Sequence, residues 1–366
     1  MSLQDLSPND EQLFTDATAT WSQLLLDISQ ARECVLFENY IWNDGEASDS
    51  LLEALRAAKN NGALIKITID AIGSFYASQS LLGAIREIAV LKIYNKPRFN
   101  WLYSRFVNSI MRRTHRRIVV CDYQYAWVGG LAIDDFWWHE ASNPCRETML
   151  RLTGEVCHSL AIEFENLWGD KSPRSSQYLK PLKQNALRVC NFGPLRRPTF
   201  LRLLLQRIGR AQHTIYIATA YFIPPRKLRR ALIEARKRGV AVYLQLPSAK
   251  LHDHPMVRMA ARRHYAPLLK HGVIIYEYTQ SFLHSKTVLI DDCDCLIGSP
   301  NIDRWSFFRN HELLVESTSS NLCEQLRQSF DDDMRRSVQI DPQLWGLRSF
   351  KTRLLENFAG VFDPIL

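Results

Sequence analysis

HSKTVLIDDCDCLIGSPN, residues 284–301, and HRRIVVCDYQYAWVGGLA, residues 115–132, decide the reading of this chain. Each opens on a histidine and places a cation two residues later (Lys286, Arg117). An apolar run follows, then an aspartate seven residues after the histidine (Asp291, Asp122) and a glycine seven beyond that (Gly298, Gly129). The apolar run at 287–290 reads as a short strand, and alternation puts His284 and Lys286 on one face of it. A single His-x-Lys carries almost no information, whereas two copies at equal spacing, sitting at equivalent places of a longer repeat, carry a great deal.

That longer repeat is visible on both sides. In the first half an apolar strand (33–40) leads to an amphipathic helix (50–59), a stop at Gly62 and a second strand (63–70). In the second half a strand (214–221) leads to a helix (228–238), a stop at Gly239 and a strand (240–246). Strands alternating with helices of this length predict an α/β fold in each half, an α-β-α sandwich. A polar stretch, GDKSPRSSQYLKPLKQ, separates them, so the domains are expected at 1–170 and 185–366 with a linker at 171–184.

With 366 residues, 46% hydrophobic and 23% charged, the chain is long enough for two cores, and its 15 glycines and 15 prolines exclude collagen-like or low-complexity classes. Lys and Arg outnumber Asp and Glu by 46 to 38, a formal net charge of +8, which favours an anionic partner such as phospholipid or nucleic acid. The eight cysteines show no CxxC pair and are read as reduced thiols of a cytosolic protein. No window of 18 consecutive apolar residues occurs, so any membrane role is expected to be peripheral. His252, Asp253 and His254 form the one tempting metal cluster and are read as loop or rim residues; neither metal nor cofactor is expected.

The paired motifs resemble those of the phospholipase D superfamily, H-x-K-x4-D followed by G-[SG]-x-N, present twice per active unit. The resemblance spans roughly 31–316. AYFIP (220–224), DHPMV (253–257), the run 271–291 and NIDRWSFFRNHE (301–312) are similar to bacterial cardiolipin synthases. It implies two phospholipase D-like domains related by an internal repeat with the active site between them, and transfer of a phosphatidyl group between phospholipids through a covalent phosphohistidine. One imidazole attacks phosphorus while the other protonates the departing alkoxide; two are needed because one cannot be nucleophile and acid at once. By resemblance His115 is the nucleophile and His284 the acid, the reverse order requiring the same residues. Arg117 and Lys286 would neutralise the phosphoryl oxygens, and Gly130, Ser299 and Asn301 would contact them. Glu147 and Glu312, 32 and 28 residues after the two histidines, are the acids expected to hold their second ring nitrogens. Asp122 and Asp291 belong to the signature, either in the chemistry or in pinning the turn toward the glycine that follows.

The first copy departs from the family pattern. Arg117 replaces lysine, a planar fork instead of a compact ammonium, and Ala132 stands where the second copy has Asn301. Ahead of His115 the segment 98–113, RFNWLYSRFVNSIMRR, is basic and aromatic. It reads either as a core helix or as one lying in an anionic membrane interface with Trp101, Arg105, Phe106 and Arg112 facing lipid. The expected partners are phospholipid substrates and the inner face of the cell membrane rather than nucleic acid, with no obligate protein partner. Two other classes share the same motif residues: a phosphodiester hydrolase, in which water replaces the acceptor alcohol, and a weakened member that only binds lipid.

Overall fold

The computed structural model describes residues 10–97, 110–137, 144–171, 182–194, 198–248 and 254–360. The first half contains β1 (Glu11–Phe14), α1 (Ala17–Ser29), β2 (Cys34–Asn39), α2 (Glu46–Asn60), β3 (Leu64–Asp70), α3 (Gln79–Ile88), β4 (Val90–Tyr94), β5 (Ile118–Cys121), β6 (Tyr125–Gly129), β7 (Met149–Thr153) and α4 (Glu155–Trp168). The second begins with β8 (Leu187–Phe192), α5 (Thr199–Arg210), β9 (Thr214–Ala218), α6 (Arg226–Lys237), β10 (Ala241–Pro247), α7 (Pro255–Arg262), α8 (Tyr265–Lys270) and β11 (Ile274–Tyr278). It ends with β12 (Thr287–Ile290), β13 (Asp294–Gly298), α9 (Arg304–Phe308), β14 (Glu312–Ser317), α10 (Ser320–Arg335), β15 (Ser337–Gln339), α11 (Pro342–Gly346) and α12 (Phe350–Ala359).

The strands form two mixed sheets, β1-β7-β6-β5-β2-β3-β4 and β15-β11-β10-β9-β12-β13-β14-β8. Read from β8, the second repeats the first strand for strand and then adds β15. In both, the motif strand (β5, β12) runs antiparallel to the first strand of a parallel trio. The repeat seen in the sequence is therefore a repeat of topology, and the chain is an α/β protein of two such sandwiches.

Side-chain alternation explains why these strands are apolar on both faces. Val35 and Phe37 of β2 and Val119 of β5 point into a core under α1, α2 and α3, while Leu36, Ile118 and Val120 point the other way. That second face joins its counterpart from the other sheet: Val120, Val128 and Leu150 share one apolar cluster with Leu289, Ile297 and Leu313, filled in by Phe164 of α4 and Phe330 of α10. The two halves thus share a core, and each keeps a further one of its own. All eight cysteines are free and only Cys293 is exposed, so packing rather than disulfide bonding joins the halves. The expected linker lies largely outside the described residues.

The motif glycines have a steric reason. A Cβ on Gly129 would come 2.5 Å from the Thr148 carbonyl oxygen, and one on Gly298 would come 2.3 Å from that of Leu313. Both distances are below contact, so β6–β7 and β13–β14 can pair this closely only with glycine there.

Candidate active site

His115 and His284 sit in the extended lead-ins to β5 and β12, with Glu147 just ahead of β7 and Glu312 opening β14. These four lead-ins meet across the two halves. The His115 N–H donates to the His311 carbonyl at 2.9 Å and the His311 N–H to that of Arg113 at 2.8 Å. In the same way the His284 N–H donates to Arg146 at 2.8 Å and the Arg146 N–H to Phe282 at 2.9 Å. A backbone bridge therefore joins the segment before each histidine to the segment before the other half's glutamate.

The side chains follow the backbone. His115 Nδ1 lies 3.0 Å from Glu312 Oε2 and 3.1 Å from Oε1, and His284 Nδ1 is hydrogen-bonded to Glu147. This corrects the assignment by sequence proximity: each histidine is held by the glutamate of the opposite half. With Nδ1–H donating to a carboxylate, each ring turns an unprotonated Nε2 outward. Arg117 Nη1 stands 3.3 Å from the Nε2 of His115. Lys286 Nζ lies 2.7 Å from Nδ1 and 2.8 Å from Nε2 of His284; since Nδ1 is committed to Glu147, the ammonium donates to Nε2.

Burial sets the protonation states. His284 is pulled down to about 4, first by burial and then by Lys286, against the opposing pull of Glu147. His115 is lowered too, by burial above all, with Arg117 adding to it and Glu312 opposing. For Glu147 and Glu312 burial acts upward, but the cation and imidazole beside Glu147 and the imidazole and hydroxyls beside Glu312 outweigh it and keep both below the ordinary carboxylate range. At neutral pH the arrangement is two neutral imidazoles, each backed by a carboxylate and faced by a cation.

Both imidazoles line a cavity of about 290 Å³ together with Arg117, Asn301, Tyr40 and Trp137. Tyr40 meets the His115 ring edge-on at 5.1 Å between centroids, and Trp137 meets His284 at 5.2 Å. Sequence reasoning missed several members of this wall. Tyr40 and Tyr221 stood at equivalent places of the repeat, which was the available signal. Asn310 stood within the run 301–312 quoted for the family resemblance, and Trp137 carried no signal. Asp303 also lines the cavity, pushed up to about 7 by burial while its carboxylate caps α9.

The phosphate contacts expected from the sequence divide. Asn301 lines the cavity, whereas Ser299 is fully buried, donates its hydroxyl to Glu312 and accepts the Leu313 N–H at 3.0 Å. Gly130 occupies the matching place beside Glu147; a Cβ there would lie 2.4 Å from Oε2 of that carboxylate. Ser299 and Gly130 thus accommodate the glutamates. Asp122 and Asp291 are elsewhere, at the far ends of β5 and β12. Asp122 accepts the N–H groups of Arg32, Glu33 and Cys34 at 2.8–2.9 Å, and Asp291 those of Gln212, His213 and Thr214 at 2.7–2.9 Å. Each holds the start of the neighbouring parallel strand from a left-handed turn (φ +54° and +50°), a conformation aspartate tolerates. They pin a turn, though not toward the glycine.

Trp101, Arg105 and Phe106 lie outside the described residues. Arg112 is exposed, while its neighbour Arg113 is buried and paired with Asp70 at 3.1 Å, a structural cation instead of a lipid-facing one. His252 and Asp253 are outside the described residues; His254 is on the cavity wall. Among the described residues no helix is long and apolar enough to cross a membrane.

The family described as "Cardiolipin synthase, PLD-like domain" matches residues 204–334. Cardiolipin synthase 1 of Bacillus cereus is 28% identical over 373 residues, covering 97% of this chain and 72% of its own length. Cardiolipin synthase A of Yersinia pseudotuberculosis is 29% identical over 371 residues, covering 98% and 76%. In fold, the phosphatidylserine synthase of Haemophilus influenzae superposes with a TM-score of 0.77 at 14% identity, over 97% of this chain and 93% of that one. A polyphosphate kinase from Porphyromonas gingivalis reaches 0.61 at 11% identity, over 92% and 49%.

Proposed function

This chain belongs to the phospholipase D superfamily, on the side of the cardiolipin synthases, and from that premise we propose that it transfers a phosphatidyl group to the hydroxyl of a second phospholipid, phosphatidylglycerol serving as acceptor and the product being cardiolipin. The observation that carries this reading is the pair of imidazoles, each with Nδ1 held by a glutamate, sharing one cavity.

In the first step the His115 Nε2 lone pair attacks phosphorus, the N–P bond forms, and the P–O bond to the departing alcohol breaks as His284 gives that oxygen a proton. His284 must carry the proton at that moment although burial disfavours it, and the negative charge of a bound phosphodiester beside it supplies the compensation. In the second step His284 takes the proton of the acceptor hydroxyl, whose oxygen attacks phosphorus and breaks the N–P bond. Glu312 and Glu147 fix the tautomers and stabilise each imidazole while it is charged. Arg117 and Lys286 meet the charge that builds on the non-bridging oxygens, and Asn301 offers an amide donor at the wall. Residues 1–170 and 185–366 are the two domains of this reading, with peripheral attachment to the membrane that supplies both substrates.

Incubating the purified protein with labelled phosphatidylglycerol in detergent tests it. Cardiolipin is expected; phosphatidic acid alone would make it a hydrolase, and no product would make it a binder.

A further inference from the structure

The last helix is built inside-out. Along α12, Phe350, Leu354 and Phe358 recur at every fourth residue and are 73%, 56% and 64% exposed, while Glu356 and Ala359 on the opposite face are buried. Leu344 in α11 and Leu347 just after it extend the stripe at 65% and 80% exposure. The orientation is fixed by a polar clasp: the Glu356 carboxylate accepts from Arg348 Nη1 at 2.6 and 2.7 Å and from Arg262 Nε at 3.2 Å. With its charged face turned in and paired, the helix can only turn its apolar face out. Single exposed apolar residues need no explanation, but three on successive turns of one helix, with two more on the segment leading into it, do.

What covers that face is indicated by its charge and its position. Between 342 and 360 Glu356 is the one acid in the sequence and it is buried, while Lys351 and Arg353 flank the stripe on either side and are exposed. The exposed Asp341 stands at the far end of α11, but beside α12 the border of the apolar strip is cationic, which complements an anionic lipid surface. Helix α12 packs on α7, whose N-cap is His254; His254 and Val257 line the catalytic cavity and Met256 between them is 45% exposed. Through its buried Ala359, which shares an apolar cluster with Val257 and Ala260 of α7, helix α12 stands one helix away from the cavity wall.

We propose that α11 and α12 form the surface on which an anionic phospholipid bilayer docks, seating the cavity mouth against the lipid from which substrate is drawn. This rests on the phosphatidyltransferase reading for its choice of occupant.

The test uses the full chain with the combined substitution Phe350→Ser, Leu354→Ser and Phe358→Ser, and sedimentation with phosphatidylglycerol vesicles. Binding should weaken at least about tenfold, since three side chains lose their burial in the headgroup region. Melting temperature and activity on detergent-dispersed phosphatidylglycerol should not change. Lys351→Gln with Arg353→Gln, which leaves the apolar stripe intact, should weaken binding to phosphatidylglycerol vesicles and leave binding to phosphatidylcholine vesicles as it was. Unchanged vesicle binding in both variants would overturn the proposal, as would a wild-type dimer that the Ser variant converts to monomer with vesicle binding intact. If neither wild type nor variant makes cardiolipin in detergent while vesicle binding still falls, the phosphatidyl-transfer reading fails and the docking surface stands. Cardiolipin formed with vesicle binding untouched is the reverse result.

Discussion

His115 and Glu312 lie 197 residues apart, on different halves of the chain, and are joined at 3.0 Å. Their counterparts, His284 and Glu147, are joined in the opposite sense across the same boundary. Replacing Glu312 by Gln should therefore alter the ring-nitrogen NMR signals of His115 and leave those of His284 nearly in place; Glu147→Gln should do the converse. Either substitution should lower kcat by about 10²-fold or more, on the scale of losing a tautomer-fixing carboxylate. A change at the histidine of the same half would contradict the crossing.

Gly130 and Ser299 occupy equivalent places with unequal room. Gly130→Ala drives a methyl group into the Glu147 carboxylate and should reduce turnover sharply through His284, with the protein still folded. Ser299→Ala removes one hydroxyl from Glu312 and should be the milder change, about 1 kcal/mol or some fivefold in rate. Steady-state rates of the two variants, with circular dichroism to check folding, test the order.

Arg146 reaches from the first half to Asp333 on α10, Nε to Oδ1 at 2.9 Å and Nη2 to Oδ2 at 2.8 Å, both side chains buried. Asp333→Ala leaves the guanidinium without its counter-charge and should cost about 3–5 kcal/mol in urea unfolding. Because Arg146 adjoins Glu147, activity should fall at temperatures where the variant is still folded.

His311 is held down to about 3 by burial, aided by Arg116 and Arg112, and its Nδ1 has no hydrogen-bond partner among the described residues. A histidine kept neutral in the fold but titrating near 6.5 when unfolded lets the unfolded chain bind more protons below that pH. Stability should therefore fall as pH drops from about 6.5 toward 3, by at most about 1.4 kcal/mol per pH unit for each such group. His284, lowered to about 4, adds to the same slope over a narrower window. Urea unfolding of His311→Asn at several pH values should give a flatter profile than wild type; parallel profiles would count against it.

Arg117 and Lys286 already bring two positive charges to the imidazoles. Activity should accordingly survive EDTA. Loss that added divalent ions restore would contradict this.

The sheets were legible because their causes are local. Apolar runs, glycine stops and a pair of motifs at constant spacing specify strands and helices wherever the rest of the chain goes, and the strand at 287–290 appears at those residues. The partnership of the glutamates was not legible, because it is decided by which lead-in segments pair across the shared core, and sequence distance points each acid to the wrong histidine. The relation of Ser299 and Gly130 to the glutamates was hidden for a related reason: the motif says that a small residue stands there, but only the position of the carboxylate says what it makes room for. Asp122 and Asp291 had been left between chemistry and turn, and three backbone N–H groups apiece are what each carboxylate meets.

The crossed pairs make each half dependent on the other for a working histidine, as in a symmetric dimer whose subunits lend each other an acid. In such a dimer any substitution appears twice. Here both copies lie on one polypeptide, so a change in one leaves the other intact, and they have diverged: Arg117 against Lys286, Gly130 against Ser299, Ala132 against Asn301. Covalent linkage thus lets the two imidazoles acquire different surroundings, an asymmetry that two identical subunits could not inherit.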